Sequence, residues 1–128
     1  MDVHGAAAGK RVVRDVEPTA LRDLLLHPPR ATVAFVDGED VEVLPVRYRL
    51  DGDAHLIAVQ GEHAAALANR EVMLVIDDGA FWFELRGISV RGVAHRPDTA
   101  GAGGGDCVWY AIAPTRVLAW SYATIHEV

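Results

Sequence analysis

Residues 31–50 decide the fold, and they read ATVAFV, then DGED, then VEVLPVRYRL. The first run is almost continuously apolar and rich in β-branched side chains, which is typical of a strand buried on both faces. Asp37 and Gly38 then supply the turn chemistry that joins two antiparallel strands through a tight loop. This stretch therefore predicts a β-hairpin.

The second strand of the hairpin changes phase near Pro45. Val41 and Val43 fall on one phase of the two-residue alternation, whereas the apolar residues between 44 and 50 fall on the other. One extra residue must be absorbed between the two sets, so the sequence predicts a β-bulge at this point. Bulged strands bend, and bent strands close small barrels that use an outer wall or mouth for a ligand.

Further elements are predicted on both sides of the hairpin. Pro18 and the leucines that follow it at helical spacing predict a short helix from about 18 to 27, ended by Pro28 and Pro29. The later elements are a strand at 55–59, a helix at 62–69, a strand at 72–76, alternating stretches within 81–96 that change phase at Gly87, a glycine-rich connection at 97–106, and two strand pieces from 107 to 122 broken at Pro114. Six or seven strands with two short helices predict a mainly β fold that closes as an antiparallel barrel.

Length and composition limit the domain count and the partners. The 128 residues are enough for about one domain, and we expect a flexible N-terminal arm over 1–16 and a barrel domain over 17–128. The net charge of −6 opposes nucleic-acid binding. The longest apolar runs are far shorter than the roughly 20 residues of a membrane span, and no cleavable leader pattern opens the chain. The sequence therefore predicts a cytoplasmic protein that binds neither nucleic acid nor membrane.

Several kinds of chemistry find no support in the sequence. Cys107 is alone, which predicts no disulfide and no cysteine-based metal site, and the six histidines lack paired metal-ligand spacing. Ser89 and Ser121 lie outside any hydrolase elbow motif. The run from Gly101 to Gly105 has no Lys-Ser/Thr to hold a nucleotide phosphate.

Five short motifs carry a resemblance to a known group of proteins. They are Ala31-Thr32-Val33, the Leu44–Tyr48 stretch LPVRY, the helix 61–69 before the strand VMLVID, the Val90–Ala94 stretch VRGVA, and the Ile112–Trp120 stretch IAPTRVLAW. In this order, over about residues 20–122, they resemble the pyridoxamine 5'-phosphate oxidase-like group of flavin-binding split β-barrels, which includes flavin- and deazaflavin-dependent oxidoreductases.

The resemblance implies a six- to seven-stranded antiparallel split β-barrel with two short helices, a homodimer with two cofactor sites between its subunits, and FMN as the cofactor, or alternatively coenzyme F420. The cofactor-binding residues that it suggests here are Thr32, Pro45, Val46, Arg47, Tyr48, Gly61, His63 and Trp120. It assigns no catalytic residue and no metal.

One part of the expected phosphate site departs from the group. Its members that hold FMN or the deazaflavin carry Ser/Thr and Lys/Arg at the start of the crossover helix, whereas this chain reads QGEHAAA at 60–66, and only His63 falls near the lysine position. A phosphate needs charge-assisted donors, and Glu62 is a like charge. The arginines that could replace the missing cluster are Arg47, Arg49, Arg70, Arg86 and Arg91.

The predicted function is therefore two-electron redox chemistry on a small organic substrate, with FMN or F420 carrying the hydride. One alternative is a non-catalytic split-barrel protein that binds a flavin, haem or another planar ligand. Another is a structural dimer module with a degenerate cofactor site, in which the aromatic stretch from Phe81 to Phe83 forms the interface.

Overall fold

The computed structural model describes residues 10–16, 21–81, 84–97 and 107–127. Within these residues the chain forms seven β-strands and two short α-helices. In chain order they are β1 (Lys10–Val16), α1 (Arg22–Leu26), β2 (Ala31–Asp37), β3 (Asp40–Asp51), β4 (Ala54–Gln60), α2 (Gly61–Ala64), β5 (Glu71–Asp78), β6 (Arg86–His95) and β7 (Cys107–Glu127).

All strand pairs are antiparallel, and the sheet closes on itself. The strand order is β1-β7-β4-β3-β2-β5-β6, and β6 also pairs with β7, so that β2 to β7 form a six-stranded barrel. The 21-residue β7 makes this closure possible, because its first part pairs with β4 and its later part with β6. β1 lies beside the last part of β7. The predicted mainly β, antiparallel split barrel with two short helices is confirmed.

The barrel interior is apolar and is formed by alternate residues of each strand. Side chains that are fully buried include Val33, Ile57, Leu74, Ile76, Ile88 and Val90. Leu24 of α1 and Leu67, just after α2, are buried in the same cluster. Since each buried aliphatic side chain contributes about 1.5 to 3 kcal/mol, this interior is the main source of stability.

The β3 strand is regular where the sequence predicted a bulge, so that prediction is wrong. Thr32 of β2 lies opposite Pro45 in a register that has no shift. Val41 and Val43 are 68% and 60% exposed, on the same outward phase as Pro45. An exposed apolar pair therefore imitates a change of phase, and no extra residue is present.

The register shift of this barrel is in β7. Arg91 of β6 lies opposite Arg116, whereas Gly92 lies opposite Pro114, which leaves Thr115 as the extra residue. The Thr115 hydroxyl donates a hydrogen bond of 3.1 Å to the carbonyl oxygen of Arg91. The two strand pieces predicted on either side of Pro114 are thus one strand with a bulge, as expected where proline supplies no amide donor.

Other boundaries also differ from those predicted. The helix expected at 62–69 is the four-residue α2 followed by a 3-10 turn, Ala65–Leu67. β6 begins at Arg86, so the alternation from Phe81 onward does not mark the start of a strand. Residues 10–16 of the predicted arm form β1, whereas residues 1–9, Trp82, Phe83 and most of the glycine-rich connection lie outside the described residues.

Candidate functional site

The middle of β3 is the point where this strand changes partner. Residues 40–46 pair with β2 along one edge, and residues 47–51 pair with β4 along the other. Within the described part of the chain, each half of β3 therefore has one edge without a neighbouring strand. The two open edges meet at Val46 and Arg47, and a cavity lies on each side.

The first cavity lies beyond the end of β4, and we call it the histidine cavity. Its volume is about 380 Å³, which falls in the range of about 300 to 1,000 Å³ typical of small-molecule sites. It is lined by Leu44, Pro45, Val46, Arg47, Ala58, Val59, Gln60, His63 and Cys107. β3, β4, α2 and the start of β7 all contribute to it, so it depends on the closed sheet.

The second cavity lies beyond the start of β2, and we call it the tryptophan cavity. Its volume is about 460 Å³. It is lined by Pro28, Pro29, Arg30, Ala31, Val46, Arg47, Tyr48, Arg49 and Trp109. Val46 and Arg47 line both cavities, which makes the middle of β3 the wall between them.

The arginines divide into those held by carboxylates and those that are not. Arg30 Nε lies 2.9 Å from Asp77, and the other ion-paired arginines are Arg70 with Asp37 at 3.6 Å, Arg86 with Asp78 and Asp23 at 2.9 Å each, and Arg91 with Glu71 at 3.7 Å. Among the described residues, Arg47 forms no ion pair, and Arg49 lies over the Trp109 ring, 5.1 Å from its centroid. Of the five arginines considered for a phosphate, Arg47 and Arg49 are therefore the two without a carboxylate partner.

The start of α2 offers an anion little help. His63 lines the histidine cavity with its side chain 49% exposed, and its Nε2 lies 3.9 Å from the carboxylate of Glu62. His63 donates a charge-assisted hydrogen bond only when it is protonated. An anion near this end of the cavity therefore lies close to His63, which gives a charge-assisted hydrogen bond only when protonated, and to the negative charge of Glu62.

A polar pair lies inside the barrel behind the arginine-bearing half of β3. Tyr48 Oη and His55 Nδ1 are 2.7 Å apart. Burial lowers the pKa of His55 below its ordinary value, although Asp53 opposes this shift, and burial raises the pKa of Tyr48. Both groups are therefore neutral near pH 7 and satisfy each other's hydrogen bonding.

The residues suggested for a cofactor are only partly brought together. Pro45, Val46, Arg47 and His63 line the histidine cavity, while Tyr48 lines the tryptophan cavity. Gly61 is the first residue of α2, and Thr32 lies opposite Pro45. Trp120 lies opposite Gly87 on β7 and lines neither cavity. Their role in cofactor binding stays a prediction.

Several lining residues were not suggested by the sequence. They come from β4, from the start of β7 and from the segment before β2: Ala58, Val59, Gln60, Cys107, Trp109 and residues 28–30. Cys107 is half-buried at the wall of the histidine cavity. The pairing of Gln60 with Cys107 explains these additions, because it places β7 beside β4. The sequence signal that could have found some of these residues is the turn at 51–53, because it predicts that β4 pairs with β3.

The described residues hold no group of three or more His, Cys, Asp or Glu side chains that could bind a metal ion. Among the same residues, no helix has the length and apolar character that crossing a bilayer requires.

Comparison with known proteins places this geometry in a structural class. No protein-family model matches the sequence, and no curated protein matches it. Solved structures do match: the FAD-binding protein from Mycobacterium smegmatis is 18% identical, with a TM-score of 0.66 over 81% of this chain and 95% of its own. The chain has the split-barrel fold.

Two further split barrels show how varied the relatives are. A candidate pyridoxamine 5'-phosphate oxidase from Corynebacterium glutamicum is 16% identical, with a TM-score of 0.64 over 92% of this chain and all of its own. The haem storage protein from Vibrio cholerae is 11% identical, with a TM-score of 0.61 over 83% of this chain and 95% of its own. At these identities the likeness shows the fold alone.

Proposed function

We propose that this split barrel binds a flavin, FMN or alternatively the deazaflavin F420, in the histidine cavity and uses it for two-electron redox chemistry on a small organic substrate. The wall formed by Leu44, Val46 and Val59 is apolar, which suits a flat heterocycle. Gln60 supplies an amide at the rim that can both donate and accept. These residues fit the ring and the polar edge of a flavin.

The observation that carries the proposal is that Arg47 lines the cavity and has no carboxylate partner among the described residues. In a chain of net charge −6, four described arginines are ion-paired with carboxylates, yet Arg47 at the cavity wall is not. A guanidinium can hold a phosphate through two parallel hydrogen bonds. Arg47 would thus take the role that the start of α2 leaves open, with His63 as a second donor when it is protonated.

In this arrangement the flavin and the protein have different roles. A bound flavin supplies the hydride-transfer chemistry. Arg47 binds the phosphate and fixes the position of the ring, while the aliphatic wall excludes water from one ring face. No described side chain of the cavity needs to act as an acid or base, so we name no catalytic residue.

The protein would act as a homodimer in the cytoplasm. Support for the dimer comes from the outward face of β2 and the first half of β3, where Val36, Val41 and Val43 are 57%, 68% and 60% exposed. Burying such a surface against a second copy of the chain would remove apolar area from water. The cytoplasmic location stays a prediction from the sequence.

A titration tests the proposal directly. FMN and F420 are added separately to the purified protein and binding is followed by ligand fluorescence. We expect micromolar affinity for one of them and a loss of about ten-fold or more in Arg47→Gln, because a charge-assisted hydrogen bond contributes about 1.5 to 3 kcal/mol. Arg91→Gln is the control for loss of one positive charge, since Arg91 is an exposed arginine on β6 that lines neither cavity. Equal affinity in both variants, or no binding of either cofactor, would contradict the proposal.

A non-catalytic role is the second candidate, and the start of α2 favours it. Glu62 lies beside His63 there, with 3.9 Å between its carboxylate and Nε2, whereas an efficient phosphate site would carry positive charge. Haem or another planar ligand makes less demand on this position. If haemin binds in the titration while FMN and F420 do not, storage or sensing replaces redox catalysis as the function.

A further inference from the structure

The tryptophan cavity combines a flat aromatic wall with a cation. Trp109 of β7 is half-buried, and the Arg49 guanidinium is stacked over its ring at 5.1 Å. Such stacking orients a guanidinium without neutralising its charge. Pro28 and Pro29 also line the cavity, so that its lining combines the indole with two further apolar rings and suits a planar group.

Within the part of the chain that the structure describes, no carboxylate lines this cavity. Arg30 contributes little free charge, because its Nε donates to Asp77 at 2.9 Å and its second nitrogen donates to the carbonyl oxygen of Gly79 at 3.1 Å. Asp51 lies two positions beyond Arg49 on the outward phase of β3, yet the two form no ion pair within the described residues. Arg47 and Arg49 therefore give the cavity two cations that the described protein does not neutralise.

The like charges of Arg47 and Arg49 make this part of the surface favourable for an anion, although water screens both exposed side chains. Arg47 and Arg49 project from the same face of one strand, two residues apart, so their like charges repel each other. An anion between them removes this repulsion and gains charge-assisted hydrogen bonds. The aromatic wall adds stacking for any ring attached to that anion.

We propose that the tryptophan cavity binds an anionic group attached to a planar ring, across β3 from the flavin of the histidine cavity. The flavin in the histidine cavity is taken from the proposed function. The ligand chemistry of the tryptophan cavity is inferred from the residues that line it. Such a ligand has two sources: the adenosine diphosphate half of a longer flavin, FAD, or a separate nucleotide or aromatic acid that serves as substrate. The shared wall at Val46 and Arg47 allows either.

The test uses ADP as the free probe and compares Arg49→Gln with Arg96→Gln. Arg96 is a matched control because it is an exposed arginine that lies over an aromatic ring, Tyr110, at 5.8 Å, but lines neither cavity. We expect calorimetry to show ADP binding to the wild type and to Arg96→Gln, and at least about five-fold weaker binding to Arg49→Gln. Arg49→Lys keeps the charge and should recover part of the affinity. Thermal melts check that each variant is folded.

FMN and FAD titrations on the same proteins separate the two sources. If FAD binds more tightly than FMN and Arg49→Gln removes the difference, the cavity holds the distal half of a dinucleotide. If FMN and FAD bind equally and ADP binds together with FMN, the cavity holds a separate ligand. ADP affinity that is the same in Arg49→Gln and wild type, or no saturation at about 10 mM ADP, would overturn the inference.

The same data keep this inference distinct from the proposed function. If flavin affinity depends on Arg47 but ADP affinity is unchanged in Arg49→Gln, the flavin site in the histidine cavity is supported and the site in the tryptophan cavity is contradicted. If ADP affinity depends on Arg49 but no variant binds a flavin, the site in the tryptophan cavity is supported and the flavin site is contradicted.

Discussion

The two halves of β3 share one strand and one outward phase, but they present different surfaces. The first half exposes Val41 and Val43, and the cations beside it are neutralised, as in the pair of Arg91 with Glu71. The second half exposes Arg47 and Arg49, which have no carboxylate partner among the described residues and which lie at two cavities. An apolar surface with balanced charge suits another protein surface, whereas unbalanced charge beside a cavity suits a small anion.

The interior behind these halves differs in the same way. The buried side chains behind the valines include the apolar Val33 and Leu74, whereas those behind the arginines include the Tyr48 and His55 pair. A change of strand partner at residues 46 and 47 thus separates two kinds of surface along a single regular strand. The following experiments test whether the two halves of β3 are independent.

The largest expected effect is on stability in the valine half. Leu74→Ala should lower the free energy of unfolding by about 2 to 5 kcal/mol, because it leaves a cavity at a fully buried site. Met73→Ala, the next residue on the outward face of the same strand, should cost clearly less. Denaturant unfolding measures both. Flavin affinity should be unchanged in folded Leu74→Ala, and a large loss of affinity would show that the two halves are not separate.

The next effect concerns assembly. Val43→Lys should raise the dissociation constant of the proposed homodimer by about ten-fold or more, since it would place a charge opposite its own copy where the proposal puts an apolar contact. Ala113→Lys adds the same charge at an exposed site on β7 and serves as the control. Sedimentation velocity distinguishes monomer from dimer. A dimer that tolerates Val43→Lys would move the interface elsewhere.

A smaller effect is a pH dependence that comes from the arginine half. The pKa of His55 lies below its ordinary value of 6.5, so the unfolded chain binds this proton more readily than the folded chain. Stability from this group is therefore complete above about pH 6.5 and is lost as the pH falls towards and below the lowered pKa. His55→Gln should flatten the acid side of the stability profile.

Tyr48→Phe is the control for that profile. It should cost about 1 kcal/mol through the lost hydrogen bond but keep the pH dependence, because burial is the largest cause of the His55 shift. Unfolding by denaturant at roughly pH 5 and pH 7.5 compares the three proteins. A profile that is equally steep in wild type and His55→Gln would assign the acid sensitivity to other groups.

The smallest effect is expected at the start of α2. Glu62→Gln removes the partner of His63 and a like charge near the proposed phosphate, so FMN affinity should rise by about two-fold, as befits an exposed pair. Glu39→Gln, in the β2–β3 turn, controls for the change in net charge. A fall in affinity would mean that Glu62 positions His63 for binding.

Local features of the chain were predictable. β2 and β3 were predicted correctly from the apolar run at 31–36, the turn residues Asp37 and Gly38, and the alternation after them. Turn chemistry and side-chain period act within a few residues, so they can be read from the sequence. The same local reasoning failed at Pro45, since apolar residues on an exposed face look the same in sequence as residues displaced by a bulge. β1 was also missed, because its strand is defined by pairing with residues over a hundred positions away.

The sequence by itself determined that this chain forms short antiparallel strands joined by tight turns, with an apolar set large enough for one barrel. It also determined the excess of negative charge and the candidate arginines. Only the tertiary structure decided which of those arginines keeps a free charge, because their carboxylate partners come from distant strands. It likewise decided that two cavities meet at Arg47, since that depends on β2 and β4 covering opposite edges of β3.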